Sequence, residues 1–149
     1  MLIGELDRKA SLDFLTRKQF GRLACSHEGQ PYITPINFVH SENYLYSLST
    51  IGRKIEWMRG NPLICIEADE IESAQKWSSV VVLGRYEELT KTAEFEYLRR
   101  FAWELLQQRP QWWEPGYAKT ILGGTERLLE PVYFRIHIDE ISGHQATPG

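Results

Sequence analysis

The chain has 149 residues, the length of one domain with little room for a second. Apolar residues make up 42% and charged residues 25%, which excludes disordered and fibrous classes. A net charge of −3 lacks the basic excess of nucleic-acid-binding proteins, and no apolar run is long enough to span a membrane. The N-terminus shows no secretory signal pattern, so we expect a cytoplasmic protein.

The first third of the chain predicts one helix followed by three strands. The helix covers residues 6–15, with Asp7 as its N-cap. Turn signals at 28–30 and 41–43 separate the strands that follow. These strands are predicted over residues 20–26, 31–40 and 44–49. Two tight turns joining three strands predict an antiparallel meander.

The middle of the chain predicts a helix between two of the remaining strands. This short helix covers 52–59 and is closed by Gly60. The strand at 63–68 is nearly all apolar, which predicts burial on both faces or a place at an interface. Residues 69–76 are polar and predict a loop. A long strand follows at 77–89, with a bulge or bend expected at Gly84.

The C-terminal third predicts the main helix and a sixth strand. Residues 92–108 place apolar side chains on one helical face, and Thr92 is the expected cap. Residues 109–125 have no regular pattern, and the last strand is predicted at 132–141. Six strands with peripheral helices predict a mainly β domain, either a small closed or partly closed barrel or an open sandwich.

Residues 49–54 (STIGRK) join the end of a strand to the start of a helix. A helix N-terminus carries partial positive charge, so Arg53 and Lys54 are unfavourable there unless an anion lies between them. A phosphate could accept hydrogen bonds from both cations, from the hydroxyls of Ser49 and Thr50, and from the free N–H groups. The other interpretation is two solvated cations at an exposed helix end.

Three other segments are candidates for ligand contact. Pro35, with Ile36 and Asn37, interrupts a strand, which frees neighbouring backbone groups for a flat heterocycle or marks a guarded sheet edge. Trp77 and Ser79 enter an apolar strand, where the hydroxyl can reach a ligand or end the strand. The paired Trp112 and Trp113 (both in an irregular segment) can wall a substrate pocket or pin a loop.

The cysteines and histidines predict no metal site. Cys25 and Cys65 lie in apolar runs without a neighbouring cysteine or histidine at ligand spacing, so we expect buried thiols in a reducing compartment. The four histidines also lack the spacing of metal ligands. No nucleophile elbow or phosphate-binding P-loop is present.

Six short motifs, in this order and spacing, resemble the pyridoxamine 5′-phosphate oxidase-like family, and most of all its nitroimidazole-reductase-like branch. They are residues 20–24 (FGRLA), 29–32 (GQPY), 35–37 (PIN), 52–54 (GRK), 61–62 (NP) and 80–85 (VVVLGR). The resemblance covers about residues 6–90 and continues weakly to 143. It implies a split β-barrel that forms a homodimer and holds FMN at the interface.

The resemblance also implies roles for the candidate residues. Arg53 and Lys54, with Ser49 and Thr50, match the segment that grips the FMN phosphate. Pro35, Ile36 and Asn37 match the strand whose backbone meets the flavin ring. Ser79 stands where the oxidases have a glutamine that contacts the flavin. An interface position would explain the apolar strand at 63–68. Together these features predict an FMN-dependent oxidoreductase acting on a small molecule.

Three departures from the family pattern leave the substrate open. The oxidases have an arginine where this chain has Val81, and they end in Arg-x-His-x-Arg where residues 135–139 read RIHID. The nitroimidazole reductases have histidine at the position of Arg53. A deazaflavin is compatible with the same fold. Haem binding through His137 or His40, or a non-catalytic flavin-binding module, remain alternative functions.

Overall fold

A computed structural model describes residues 1–108 and 131–149, together with the backbone of two strands between them. The strands are β1 (Leu2–Leu6), β2 (Phe20–His27), β3 (Gln30–Asn37), β4 (Val39–Ser41), β5 (Tyr44–Thr50), β6 (Leu63–Ser73), β7 (Lys76–Glu88), β8 (Lys119–Leu122), β9 (Thr125–Leu128) and β10 (Pro131–Thr147). The helices are α1 (Arg8–Lys18), α2 (Arg53–Gly60) and α3 (Glu96–Gln107). The protein is mainly β with peripheral helices, as predicted, and has more strands than six.

The main sheet runs in the order β3-β2-β6-β7-β10-β5-β4, with β1 paired to β10, and every pairing is antiparallel. Its two ends approach each other, since Ser47 Oγ on β5 donates to the carbonyl oxygen of Asn37 on β3 at 2.6 Å. This arrangement is the split barrel that the motifs imply, and an open sandwich is excluded.

The predicted meander is wrong, because the strand expected at 31–40 is two strands. Phe38 is fully buried between them, and its backbone N–H donates to the carbonyl of Gln19 at 3.1 Å. Burial of this ring turns the chain out of β3, which stays at one end of the sheet, into β4, which lies at the other. The two turns do form hairpins, with Glu28, Gly29 and Glu42 at positive φ.

Sequence patterns missed the strands whose residues are polar or exposed. Residues 69–73 extend β6 instead of forming a loop, and they pair with the start of β7 in a hairpin. β1 is mostly exposed and pairs along the end of β10. The segment 119–128 includes the β8–β9 hairpin, whereas 109–118 lies outside the described residues. Backbone pairing holds β1 and residues 69–73 in the sheet although their side chains are mostly exposed or half-buried.

The predicted helices form, although only one of their expected caps does. Asp7 Oδ1 accepts from the N–H of Ala10 at 2.8 Å and caps α1. Thr92 instead precedes a short 3₁₀ turn at Ala93–Phe95 and makes no capping bond. The apolar face of α3 packs on β5, with Ala102 and Leu106 buried.

Gly84 marks an irregularity, but the bulge is on the neighbouring strand. The register between β7 and β10 shifts between Ile138 and Glu140, directly beside Gly84. A Cβ at Gly84 would stand 2.7 Å from Ile136 Cγ2 and closer still to the carbonyl of His137. The glycine therefore allows β10 to approach β7 where the extra residue bends it.

The strand at 63–68 is buried on one face only within a single chain. Ile64, Ile66 and Ala68 point into the core, whereas Leu63 is 64% exposed. The opposite side of this part of the sheet carries exposed apolar side chains from β2, β3, β6 and β7. We call this surface the outer face; it includes Ala24, Ile33, Leu63, Cys65, Val81 and Leu83.

No helix within the described ranges is both long and apolar enough to cross a bilayer.

Candidate functional site

The junction between β5 and α2 leaves helix N–H groups without a side-chain cap. Gly52 is the N-cap, and the first helical bond runs from the N–H of Glu56 to its carbonyl at 3.0 Å. The earlier N–H groups of a helix have no partner within the helix. Ser49 is buried at the end of β5, and Thr50 is half-buried beside it. Ser49, Thr50, Arg53 and Lys54 thus belong to one short segment at the start of α2, in which Ser49 Oγ donates to the carbonyl of Thr50 at 3.4 Å.

Lys54 is a half-buried cation in the first turn of α2. Burial lowers the pKa of its ammonium, and the nearby Cys25 thiol opposes that change. No carboxylate among the described residues contributes to this pKa. An uncompensated cation at a helix N-terminus is costly, and an anion placed there would remove the cost.

Arg53 lies beside two aromatic rings. Its guanidinium carbon is 5.4 Å from the ring centroid of Tyr32 and 5.7 Å from that of Trp57. The two rings meet edge-on at 5.7 Å. Trp57 also contacts the ring of His27 at 5.4 Å. These contacts link the start of α2 to Tyr32 near the start of β3, the strand that also carries Pro35.

The proline-containing segment is at a sheet edge, as one of the two interpretations predicts. β3 ends the sheet order, and Pro35 is exposed opposite Arg22 of β2. The side chain of Ile36 points into the core, so only its backbone can meet a ligand. Asn37 follows, with its carbonyl already accepting from Ser47. Pro35 is tolerated here because β3 is an edge strand, so the N–H that proline lacks is not needed for pairing.

Trp77 and Ser79 are not close to the proline-containing segment at Pro35 within one chain. They lie at the start of β7, with Ser79 opposite Asp69 of β6 and His144 of β10. β2 and β6 separate β7 from β3, a distance of about 14 Å at ordinary strand spacing. Trp112 and Trp113 lie outside the described residues, so their predicted pocket role stays a prediction.

The outer face carries a shallow apolar groove. It encloses about 430 Å³ and is lined by residues that include Ala24, Pro31, Leu63, Cys65 and Leu83. Leu83 is 47% exposed and Ile33 is 64% exposed. An exposed apolar patch of this kind is typical of an interaction surface.

Both histidines considered as haem ligands already use their two ring nitrogens. His137 contacts Asp139 Oδ1 at 2.8 Å through Nδ1 and Asn43 Nδ2 at 3.0 Å through Nε2. His40 contacts Thr16 Oγ1 at 2.7 Å and the carbonyl of Glu42 at 2.5 Å. Binding iron would require either ring to give up a hydrogen bond, so the structure does not favour the haem alternative.

The family model described as pyridoxamine 5′-phosphate oxidase matches residues 7–145. The chain belongs to the pyridoxamine 5′-phosphate oxidase family. An uncharacterised protein of Rhizobium meliloti (strain 1021) is 38% identical over 149 residues, which is 100% of this chain and 99% of that protein. The family assignment made from the six motifs is confirmed.

Solved structures of this family share the fold. One is the crystal structure of a FAD-binding protein from Mesorhizobium loti, whose sequence is 39% identical to this chain. The two structures superpose with a TM-score of 0.81, and the match covers 99% of this chain and 100% of that chain. A candidate 5-nitroimidazole antibiotic resistance protein from Bacteroides thetaiotaomicron is 18% identical with a TM-score of 0.66, covering 97% of this chain and 89% of its own. The second likeness shows the fold alone.

Two features of this family member were not found from the sequence. The rings beside Arg53 are one; Trp57 stands four residues after Arg53, a helical spacing that could have indicated the contact, whereas Tyr32 is distant in the chain. The other is an acidic pair on the outer face, Glu67 and Asp69, beside Arg22 of β2. Their alternate spacing on a strand places them on one face.

Proposed function

We propose that this family member binds a flavin nucleotide and holds its phosphate at the junction of β5 and α2. The observation that carries the proposal is Lys54, a half-buried cation without a carboxylate partner in the described part of the chain. The uncapped N-terminus of α2 and the guanidinium of Arg53 supply further donors on the same side. A phosphate dianion fits this set of donors.

We propose FMN as the cofactor, because the donors gathered at α2 suit one terminal phosphate. The relative from Mesorhizobium loti is described as FAD-binding, and FAD contains the same riboflavin phosphate unit. Release of the cofactor by heat and its chromatographic identification separate the two. If FAD is released, the phosphate assignment stands and only the cofactor's identity is corrected. The same holds if a deazaflavin is released.

We further propose that the flavin site is completed by a second copy of the chain. Trp77 and Ser79 share the outer face with Pro35 but lie three strand spacings from it, so one copy does not gather all the proposed contacts. Two copies docked through their apolar outer faces would cover Leu63 and Leu83 and bring β7 of one chain toward β3 of the other. Obligate interfaces of homodimers are similarly apolar.

The activity proposed is that of an oxidoreductase acting on a small molecule. A bound flavin supplies hydride and electron transfer, and the protein supplies binding and orientation. In this proposal Arg53 and Lys54 bind the phosphate, the backbone of residues 35–37 meets the ring edge, and Ser79 offers a hydroxyl to it. The prediction that Trp112 and Trp113 wall a substrate pocket belongs to the same proposal, and both residues lie outside the described part of the chain.

Substitution of the two cations tests the binding site. We expect Arg53→Ala combined with Lys54→Ala to weaken FMN binding by more than about tenfold, since each charge-assisted hydrogen bond contributes roughly 1.5–3 kcal/mol. Lys9→Ala combined with Arg100→Ala is the matched control, because it removes the same charges from exposed helix positions. An unchanged dissociation constant in the first double variant, measured by flavin fluorescence, would refute the phosphate assignment.

A further inference from the structure

The contacts of Arg53 leave its hydrogen-bond donors available. Its charge lies 5.4 Å from the Tyr32 ring and 5.7 Å from the Trp57 ring, both within the range of cation–π attraction. A guanidinium has five N–H donors in a fixed planar arrangement. The two ring contacts offer these donors no oxygen or nitrogen lone pair to bond. No ion pair of Arg53 with an acidic side chain is present in residues 1–108 and 131–149.

The two rings are themselves held in place. Tyr32 and Trp57 are half-buried, pack against the main hydrophobic core and touch each other edge-on at 5.7 Å. Trp57 is fixed further by the ring of His27. One ring belongs to β3 and the other to α2, so the pair connects the two elements that the proposed flavin site needs. A rigid aromatic pair can limit the rotamers of the exposed arginine beside it.

We propose that Tyr32 and Trp57 are positioning residues, which orient Arg53 toward the flavin phosphate before the flavin binds. This inference rests on the proposed function. An arginine loses much side-chain freedom when it binds an anion, and prior placement beside the two rings reduces that loss. The rings do not contact the phosphate in this account; they act only through Arg53.

The difference between FMN and riboflavin affinity tests the positioning role, because a merely structural role of the rings would not change this difference. FMN carries the phosphate and riboflavin lacks it, so we compare the dissociation constants of both ligands by fluorescence quenching. We expect Trp57→Leu and Tyr32→Leu each to weaken FMN binding by about two- to fivefold and to leave riboflavin affinity unchanged, the range that follows from an exposed cation–π contact. Trp57→Phe keeps a ring face and should restore most of the FMN affinity.

Two controls test whether the rings act on FMN binding through Arg53. Trp103→Leu removes an equally large aromatic side chain from α3, where Trp103 is 50% exposed, and should change neither ligand's affinity. In an Arg53→Ala background, Trp57→Leu should cause no further loss of FMN affinity, because the ring then has no arginine to orient. If Trp57→Leu does not fold, Tyr32→Leu makes the same test from β3.

The outcomes distinguish this inference from the proposed function. A wild-type chain that binds neither FMN nor riboflavin would refute both. Flavin binding that depends on Arg53 and Lys54, combined with an equal loss of FMN and riboflavin affinity in the ring variants, would refute the positioning role alone. A selective loss of FMN affinity that disappears in the Arg53→Ala background supports it.

Discussion

Glu67 and Asp69 lie two residues apart on β6, with both side chains on the outer face of the sheet. Burial and the neighbouring Asp69 carboxylate raise the pKa of Glu67 to about 7, and Arg22 of β2 only partly opposes this. Arg22 Nη1 is 4.0 Å from Asp69 Oδ2. With one proton on the pair, the three side chains together are neutral; without it, they carry one negative charge.

This pair predicts that self-association through the outer face depends on pH. Docking removes Glu67 from water and favours its protonated form, so the dimer takes up protons as it forms. Association should be strong below pH 7 and weaken as the pH rises through and above the pKa of Glu67. Sedimentation equilibrium at about pH 6 and about pH 8.5 measures the dissociation constant across this range.

Glu67→Gln should make the association independent of pH over the same range, because the amide stays neutral. Glu104→Gln, an exposed change on α3, is the matched control and should keep the wild-type profile. A wild-type dimer with the same affinity at both pH values would contradict the assignment of Glu67 to the interface.

Leu63→Lys should abolish the proposed dimer and leave the fold of each chain intact. The side chain is 64% exposed in the single chain, and exposed substitutions usually change the free energy of unfolding by no more than about 0.5 kcal/mol. A charge at the centre of an apolar contact is unfavourable, so light scattering should report monomers and flavin affinity should fall with them. Met1→Lys, at another exposed apolar position, should remain dimeric.

Gly84→Ala should destabilise the protein, because the new methyl group has no space between β7 and β10. The added Cβ would overlap the carbonyl of His137 and approach Ile136 Cγ2 to 2.7 Å. Overpacking of this kind typically costs about 1–3 kcal/mol in the free energy of unfolding. Gly4→Ala is the control, since a Cβ there meets nothing within 4 Å. Equal urea midpoints for the two variants would contradict the close approach.

Much of the fold could be predicted, because its core strands have a clear alternation of apolar side chains. β10 is an example, with Phe134, Ile136 and Ile138 on the buried face. The strand order could not be predicted, since it depends on Phe38, whose burial separates β3 from β4. The hairpin at 69–76 could not be predicted, because its strands pair through the backbone and lack the apolar alternation of the core strands.

The position of two adjacent cations at a helix start could be read from the sequence, and phosphate binding there was inferred because such cations conflict with the helix dipole. Arg53 and Lys54 indeed lie there, at the open end of α2. Their surroundings were not predictable, because Tyr32 and Cys25 reach them only through the packing of α2 on β2 and β3. The separation of Ser79 from Pro35 is likewise a property of the sheet order.

The visible absorption spectrum of the freshly purified protein tests the central claim most directly. We expect a yellow protein with a flavin spectrum, which releases FMN on heating and fails to retain it when Arg53 and Lys54 are both alanine. A colourless protein that also fails to take up added FMN or FAD would contradict flavin binding at the start of α2.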